Sequence, residues 1–438
     1  MNSKHRRLLA ASIMAATLAV GTACSATPAA EQGDVTLQWW TSGGDPETAN
    51  RVNGELIKRF EEQNPEIKVE LLYLPGDSAE QKISNAVSTG SVPDILDTGI
   101  VNVSNLTARD AVEPLDDWFA QSEYAENIPE SALANARTAD PDGKLYFTPT
   151  MGLANVLWYR KDLLADAGVA EPKSWDDFYE VAEKMTDADK GVFGYIIRGG
   201  NGFFPQLLDA MYGQSGVSSF IDDDGKSTLN DPRNVAALER YVEMYGKVTA
   251  KSDLNADYLA MVAQFGAGKG VMFNHNLGSY TDNVKKFGAE NVAGVQPFPS
   301  EAGPVTVSGQ TILGNAIMKG SEHKEEAWKF VDFLMKPENV SYISEELGYI
   351  PMSKPAFDDA WVKDRQPLVA AIAAIDDPQT QVLHEPFYLP EYQTIAKVTL
   401  QTPWQQVLQG QLSVKKFLDQ AADLFTEAEA AYRDRNGK

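Results

Sequence analysis

Side chains able to do covalent or metal chemistry are sparse and scattered in this chain. The four histidines, His5, His275, His323 and His384, are far apart, and no His-Glu-x-x-His run occurs. Cys24 is the one cysteine, so neither an intrachain disulfide nor a paired-cysteine metal site can form. A Gly-x-Ser-x-Gly elbow is absent, which leaves a standard hydrolase nucleophile without support. The run GAGKG at Gly266 lacks the spacing of a phosphate loop and reads as a helix stop. The run DDDG at Asp222 lacks the alternating ligands and closing Glu of a calcium loop. Carboxylate pairs for glycoside cleavage stay open among the 62 acidic residues. What the chain offers more clearly is recognition chemistry, with aromatic rings and planar polar groups at the ends of apolar runs. Such groups suit the holding of a small ligand in a mostly pre-formed pocket.

The elements that must position these groups follow from hydrophobic periodicity. Val35, Leu37 and Trp39 alternate with polar residues and Trp40 as a strand, and Val52, Leu56, Ile57 and Phe60 share one helical face closed by Asn64-Pro65. Ile67 to Tyr73 alternates again, Gln81 to Thr89 reads as a helix, and Pro93 to Asp97 as a third strand. Strand, helix, strand, helix, strand implies a parallel sheet with helical crossovers, and ligands gather at the carboxyl ends of such strands. Those ends are Trp40-Thr41 and Asp97-Thr98. Trp39 and Trp40 point to opposite sides of the strand, so one packs in the core; Trp40 reads equally as binder or core. Asp97 and Thr98 read as cleft contacts or as a turn. Leu153 to Tyr159 is an apolar strand interrupted by Asn155, either a ligand contact or a satisfied buried amide. Ser174 to Asp177 resembles a capping box opening a helix through Met185, and Tyr195 to Ile197 is a strand ending at Arg198-Gly199-Gly200-Asn201. Leu259 to Phe265 is helical, Val271 to Phe273 and Thr311 to Met318 are strands, Ser321 caps the next helix, and Ser413 to Tyr432 is the last.

Lys4, Arg6 and Arg7 precede an uncharged apolar stretch from Leu8 to Val20, the layout of a secretory leader over 1–23. Gly21-Thr22-Ala23-Cys24 is similar to the bacterial lipobox, with Gly21 where Leu is usual, so Cys24 is read as a lipidated first residue and 24–33 as a flexible tether. The alternative is a plain secretory cut nearby. The formal charge is −24 and becomes more negative by three without the leader, a surface that repels nucleic acid and anionic lipid headgroups. The length remaining exceeds one compact core and predicts two lobes.

An ordered series of motifs resembles the extracellular solute-binding proteins of ATP-binding-cassette sugar importers, the group containing maltose-binding proteins. It runs from about Val35 to Ala431 as WWTSGGDPE, FEEQNPEIKVE, SVPDIL, KLYFTPTMGLANVLWYRKDLLADAG, PKSWDDF, FGAGKGVMFNHNLGSY, VQPFPS, HKEEAWKFVDFLMKPEN and LGYIPMSK. The resemblance implies an α/β, two-lobed periplasmic-binding-protein-like fold with the ligand cleft between the lobes. The first lobe would be 34–147 plus 308–350, and the second 148–307 plus 351–438. It also implies hinge closure on the ligand, delivery to the permease subunits of an importer, a monomer, no catalysis, and no cofactor or metal. By the same resemblance Arg198, Asn201 and Phe204 are second-lobe contacts, although Arg198 also fits an interlobe ion pair. Tyr280 aligns with an aromatic residue, usually Trp, that stacks on the sugar, and Asn276 is its hydrogen-bonding neighbour. Gln310, after Gly309, lies at the return crossing between lobes, and His384 resembles a late histidine of some monosaccharide-binding relatives, or is structural. The same fold could instead take a glycerol phosphate diester, a polyamine or a peptide, or serve a surface sensor or an anchored carbohydrate-active enzyme.

Overall fold

The computed structural model describes residues 35–42, 46–140, 142–295, 298, 305–308, 311–376 and 380–436. The leader, Cys24, the tether and Gln310 lie outside these residues. In chain order the strands are β1 (Val35–Ser42), β2 (Ile67–Leu74), β3 (Ile95–Gly99), β4 (Thr148–Leu153), β5 (Asn155–Arg160) and β6 (Phe193–Ile196). They continue with β7 (Gly270–Asn276), β8 (Val292–Val295), β9 (Val305–Ser308), β10 (Thr311–Ile317), β11 (Ile350–Pro351) and β12 (Thr380–Leu383).

Two sheets organise the α/β fold into two lobes. The first has the order β11-β4-β10-β3-β1-β2, and the second β6-β7-β5-β8. In the first, β1 runs parallel to β2 and β3, while β10 is antiparallel to β3 and β4. The early strand–helix alternation thus produces the parallel half, and the returning β10 is inserted beside it. In the second, β5 lies antiparallel to both β7 and β8, and β6 is parallel to β7. A short parallel pair, β9 with β12, forms a third sheet.

The run Leu153 to Tyr159, expected as one strand, is two. The chain changes sheets at Ala154, whose carbonyl accepts a hydrogen bond from the Leu277 amide at 3.0 Å. An apolar run cannot reveal such a break, because buried strands of both sheets read alike. β4, placed with the second lobe by the sequence, hydrogen-bonds in the first sheet. Ser321 is not the helix cap either. The helix Lys324–Leu334 follows His323, and the Ser321 hydroxyl accepts from the His323 amide at 3.1 Å while donating to Asp94.

Each lobe has its own core. In the first, Leu37 and Trp39 on β1 meet Leu56 and Phe60 of the helix Pro46–Gln63, and Phe330 from the helix Lys324–Leu334. The rings of Trp39 and Phe60 stand edge-on to Phe330 at 5.0 and 4.9 Å. Full burial of each such side chain contributes about 1.5–3 kcal/mol, which fixes the helices against the sheet. In the second, Phe204 of the helix Phe203–Ser215 joins Phe220, Tyr392 and Phe425 of the last helix. A third cluster spans both lobes, with Phe147 and Ile312 packing alongside Val156, Trp158 and Phe273.

Candidate functional site

A cleft of about 340 Å³ opens between the lobes. Its first-lobe wall comes from Glu80 on the helix Gly76–Thr89, Gly99 at the end of β3, Val101 and Asn102 on the helix after it, and Thr311 and Leu313 at the start of β10. The second-lobe wall comes from Asn155 opening β5, His275 and Asn276 ending β7, and Arg198, Gly202, Phe204 and Pro205 after β6. A third side is supplied by the segment bearing Glu385, Phe387, Tyr392, Gln393 and Lys397.

The polar groups of the second-lobe wall are braced from behind. Asn155 pairs with Asn276 across β5 and β7, and its amide nitrogen donates to Asp209 at 2.7 Å. The Asn276 side-chain oxygen accepts from the Gly278 amide at 3.0 Å. The Arg198 amide donates to Gln206 Oε1 at 2.7 Å, its carbonyl accepts from Trp404 Nε1 at 3.0 Å, and its Nε donates to the Asn201 carbonyl at 2.7 Å. Gly202, with φ of +77°, makes room for this arrangement. A Cβ there would lie 2.3 Å from an Arg198 guanidinium nitrogen. Burial lowers the Arg198 pKa against the attraction of Asp257 and Tyr258. His275 stacks on Tyr258 with ring centroids 4.5 Å apart, and its Nδ1 lies 2.7 Å from the Ser279 hydroxyl. Burial, aided by the Arg198 charge, pushes the imidazole down to about 3, so it is neutral at physiological pH.

The first-lobe side is simpler. Asp97 and Thr98 precede Gly99 on β3, and burial raises the Asp97 carboxyl to about 7. Tyr349, pushed up to about 12 by burial and then by Asp97, Tyr258 and Tyr73, spans the lobes; a Cβ on Gly278 would lie 3.5 Å from its ring. Thr41 is buried with no hydrogen-bond partner for its hydroxyl oxygen among the described residues. Lys397 and Glu80 form a 3.4 Å ion pair, and Tyr392 donates to the buried Glu385.

Of the residues singled out in the sequence, Asn155, Arg198, Phe204 and Asn276 line the cleft. Phe204 is mostly core, stacked on Phe425 at 5.9 Å. The side chain of Trp40 lies under the Lys82 ammonium, 5.3 Å from its ring centroid, and does not line the cleft. Asn201 is exposed and contributes its carbonyl to Arg198. Tyr280 lies 6.4 Å from Trp158, with the Arg365 guanidinium 5.1 Å from its ring centroid, and is not among the residues lining this cleft. His384 is exposed, and its neighbour Glu385 lines the cleft instead. Glu80, His275, Phe387, Gln393 and Lys397 were not foreseen. His275 had one readable signal, its place one residue before Asn276 at the end of an apolar strand.

The profile of the bacterial extracellular solute-binding proteins matches residues 46–341. The chain belongs to this family. This solute-binding protein is 25% identical over 355 residues to the putative ABC transporter periplasmic-binding protein YcjN of Escherichia coli K12, covering 79% of the chain and 78% of the relative. It is 27% identical over 365 residues to the sn-glycerol-3-phosphate-binding periplasmic protein UgpB of Escherichia coli O1:K1, covering 78% and 80%. Its fold matches the GacH receptor of Streptomyces glaucescens, solved unliganded and with acarbose, at a TM-score of 0.77 and 21% identity, covering 91% and 99%. Family membership makes this solute-binding protein extracytoplasmic and an importer component. Among the described residues no helix is long and apolar enough to cross a membrane.

Proposed function

We propose that the protein captures a sugar or polyol in the interlobe cleft, closes by hinge motion and delivers it to the permease of an ATP-binding-cassette importer without chemical change. The observation that carries this reading is the wall of Asn155, Asn276, Arg198 and neutral His275, braced from behind and facing the first lobe across about 340 Å³. Fixed planar donors and acceptors are what vicinal hydroxyls need, and Phe387 adds an apolar edge. The GacH receptor, of like fold, binds acarbose. Ligand favours closure only as far as it binds the closed form better. The lobe division follows 34–147 plus 308–350 and 148–307 plus 351–438, adjusted so that β4 moves with the first lobe and the hinge includes Ala154. Lipidation of Cys24 anchors the protein outside the membrane; loss of detergent partitioning in Cys24→Ala tests this.

A second reading, a glycerol phosphate, draws on UgpB and on two cations at the cleft, Arg198 and Lys397. Against it, Lys397 is paired with Glu80, and Glu385 adds a negative charge. A thermal-shift panel of mono- and oligosaccharides, polyols, glycerol phosphates and polyamines separates the two. Ligand at about 100 times its Kd adds about 2.7 kcal/mol of apparent stability. A sugar hit recovered unchanged supports the first reading, and silence across sugars with a phosphate hit replaces it.

A further inference from the structure

Strands β6 and β7 run side by side up to the pair Ile196 and Phe273, and just beyond that pair each carries a cleft residue, Arg198 on one and His275 on the other. There a side chain takes the place of the ladder. Gln206, buried on the helix Phe203–Ser215, accepts the Arg198 amide on Oε1 at 2.7 Å and donates from Nε2 to the Asn274 carbonyl at 3.4 Å. The first bond holds the peptide unit leading into Arg198, and the second holds the peptide unit leading into His275. Two hydrogen bonds with an amide between them reach further than the single bond of a ladder, so the strand ends stand wider apart than paired strands do. The amide is also locked in direction. Tyr241 donates its one hydroxyl proton to the same Oε1 at 2.9 Å, so Tyr195, 3.0 Å away, is the donor to Tyr241. With two donors on Oε1, Nε2 is left facing the Asn274 carbonyl. Both tyrosines are buried, and a satisfied polar network in such surroundings fixes one arrangement.

Taking the interlobe cleft as the ligand site, as proposed above, we infer that Gln206 is a positioning residue that sets the spacing between Arg198 on one side and His275 and Asn276 on the other. It does not itself line the cleft. The spacing decides which ligand oxygens the guanidinium and the β7 groups can meet at once, so Gln206 governs affinity from behind the wall. Gln and Asn are the neutral side chains that pair a carbonyl acceptor with an N–H donor in one planar group, and Asn is shorter by a methylene. Methionine fills a similar volume and makes neither bond. Removing the amide frees the end of β7 from Arg198 while leaving the apolar packing of the helix in place.

Two readouts on the full chain test this in Gln206→Met and Gln206→Glu. The first needs no ligand. Imidazole nitrogen NMR should show His275 neutral down to pH 5 in the wild type, where burial and the Arg198 charge hold its proton off, and protonating above pH 5 in Gln206→Met. His275→Gln assigns the signal among the four histidines. The second is calorimetry with glucose, maltose, mannitol and sn-glycerol 3-phosphate. Whichever of these the wild type binds, Gln206→Met should bind at least about fivefold more weakly, the loss expected for one neutral hydrogen bond. Gln206→Glu supplies the rescue, and it serves in both readouts if the methionine variant does not fold. Protonated, its carboxyl repeats the acceptor and donor of the amide; ionised, it loses the donor and meets the Asn274 carbonyl, with Asp209 one helical turn further on. Its affinity relative to wild type at the same pH should lie within twofold at pH 5 and fall at least fivefold by pH 8. A His275 signal unmoved in the variants, or a Gln206→Glu affinity ratio that stays flat with pH, overturns the inference and leaves Gln206 a core residue. If the wild type binds none of the four probes, the cleft reading loses its support, while the His275 signal still decides whether Gln206 places β7.

Discussion

The two walls of the cleft are built differently. The second-lobe wall presents an amide pair, a guanidinium and a neutral imidazole, and each is held by a partner behind it: Asp209, Gln206, Trp404 or Ser279. The first-lobe wall presents mainly Gly99, Val101, Thr311 and Leu313, with the buried acid Asp97 two residues away. Rigid polar groups lose little entropy when a ligand arrives, so the second lobe should hold most of the affinity in the open state. The first lobe then acts as the cover that completes the site on closing.

If that contrast holds, the largest loss should come from Arg198→Ala. Hydrogen bonds to a charged group are worth about 1.5–3 kcal/mol, so affinity for the hit sugar should fall by roughly 10- to 100-fold in calorimetry. An equal loss from a first-lobe change such as Asn102→Ala would break the comparison. Gly202→Ala comes next. A left-handed backbone costs a non-glycine residue about 1–2 kcal/mol, and the new Cβ also meets Arg198 at 2.3 Å. Urea unfolding should show the lost stability, and calorimetry a weaker ligand, because the guanidinium has to move.

A smaller, sign-specific contrast is set by pH. His275 has a folded pKa near 3, below its unfolded value of 6.5, so between these values the unfolded chain binds the extra proton. Its contribution to stability is present above 6.5 and is lost as pH falls toward 3. Asp97 has a folded pKa of about 7, above 3.8, so its contribution is fully present below 3.8 and is lost as pH rises through 7. The two walls therefore oppose one another between about pH 4 and 6.5. Asp97→Asn removes one side of the balance. The stability difference between variant and wild type should rise from pH 4 to about 7 and level off above it, read by urea titration at each pH. A flat difference would mean that the carboxyl is not held in its neutral form.

The same asymmetry explains what could be read from the sequence. The first lobe's strand–helix alternation was legible because one face of each element is buried, as with Leu37 and Trp39 on β1 and Val52, Leu56 and Phe60 on the helix behind it. Asn155 stood out as the polar break in an apolar run, whereas Arg198 and Asn276 came from the family resemblance. Glu385, Phe387, Gln393 and Lys397 were not legible. They lie on a segment of turns and the π-helical turn Thr394–Thr399, where no periodicity marks a face and tertiary packing alone sets direction. Tyr280 shows a different limit. Its alignment with a stacking aromatic gives the residue type but not the surroundings, where Trp158 and Arg365 pack near its ring.

The smallest expected effect tests whether the cover is held by charge. Lys397, on the second-lobe side, meets Glu80 of the first-lobe helix Gly76–Thr89 at 3.4 Å, and both line the cleft. The two side chains are 46% and 60% exposed, so screening and side-chain entropy leave such a pair worth about 0–1 kcal/mol. Lys397→Ala should therefore weaken ligand binding by no more than about fivefold, on the 1.4 kcal/mol per tenfold scale. The loss should shrink between 50 and 500 mM salt, because exposed charges are screened over a few ångströms at high ionic strength. Glu80→Lys should do more than Lys397→Ala, since it replaces attraction by repulsion across the mouth. The double exchange, Glu80→Lys with Lys397→Glu, should recover most of the affinity. Recovery with unchanged salt dependence would assign these residues to ligand contact instead of closure, and would move part of the binding energy back to the first lobe.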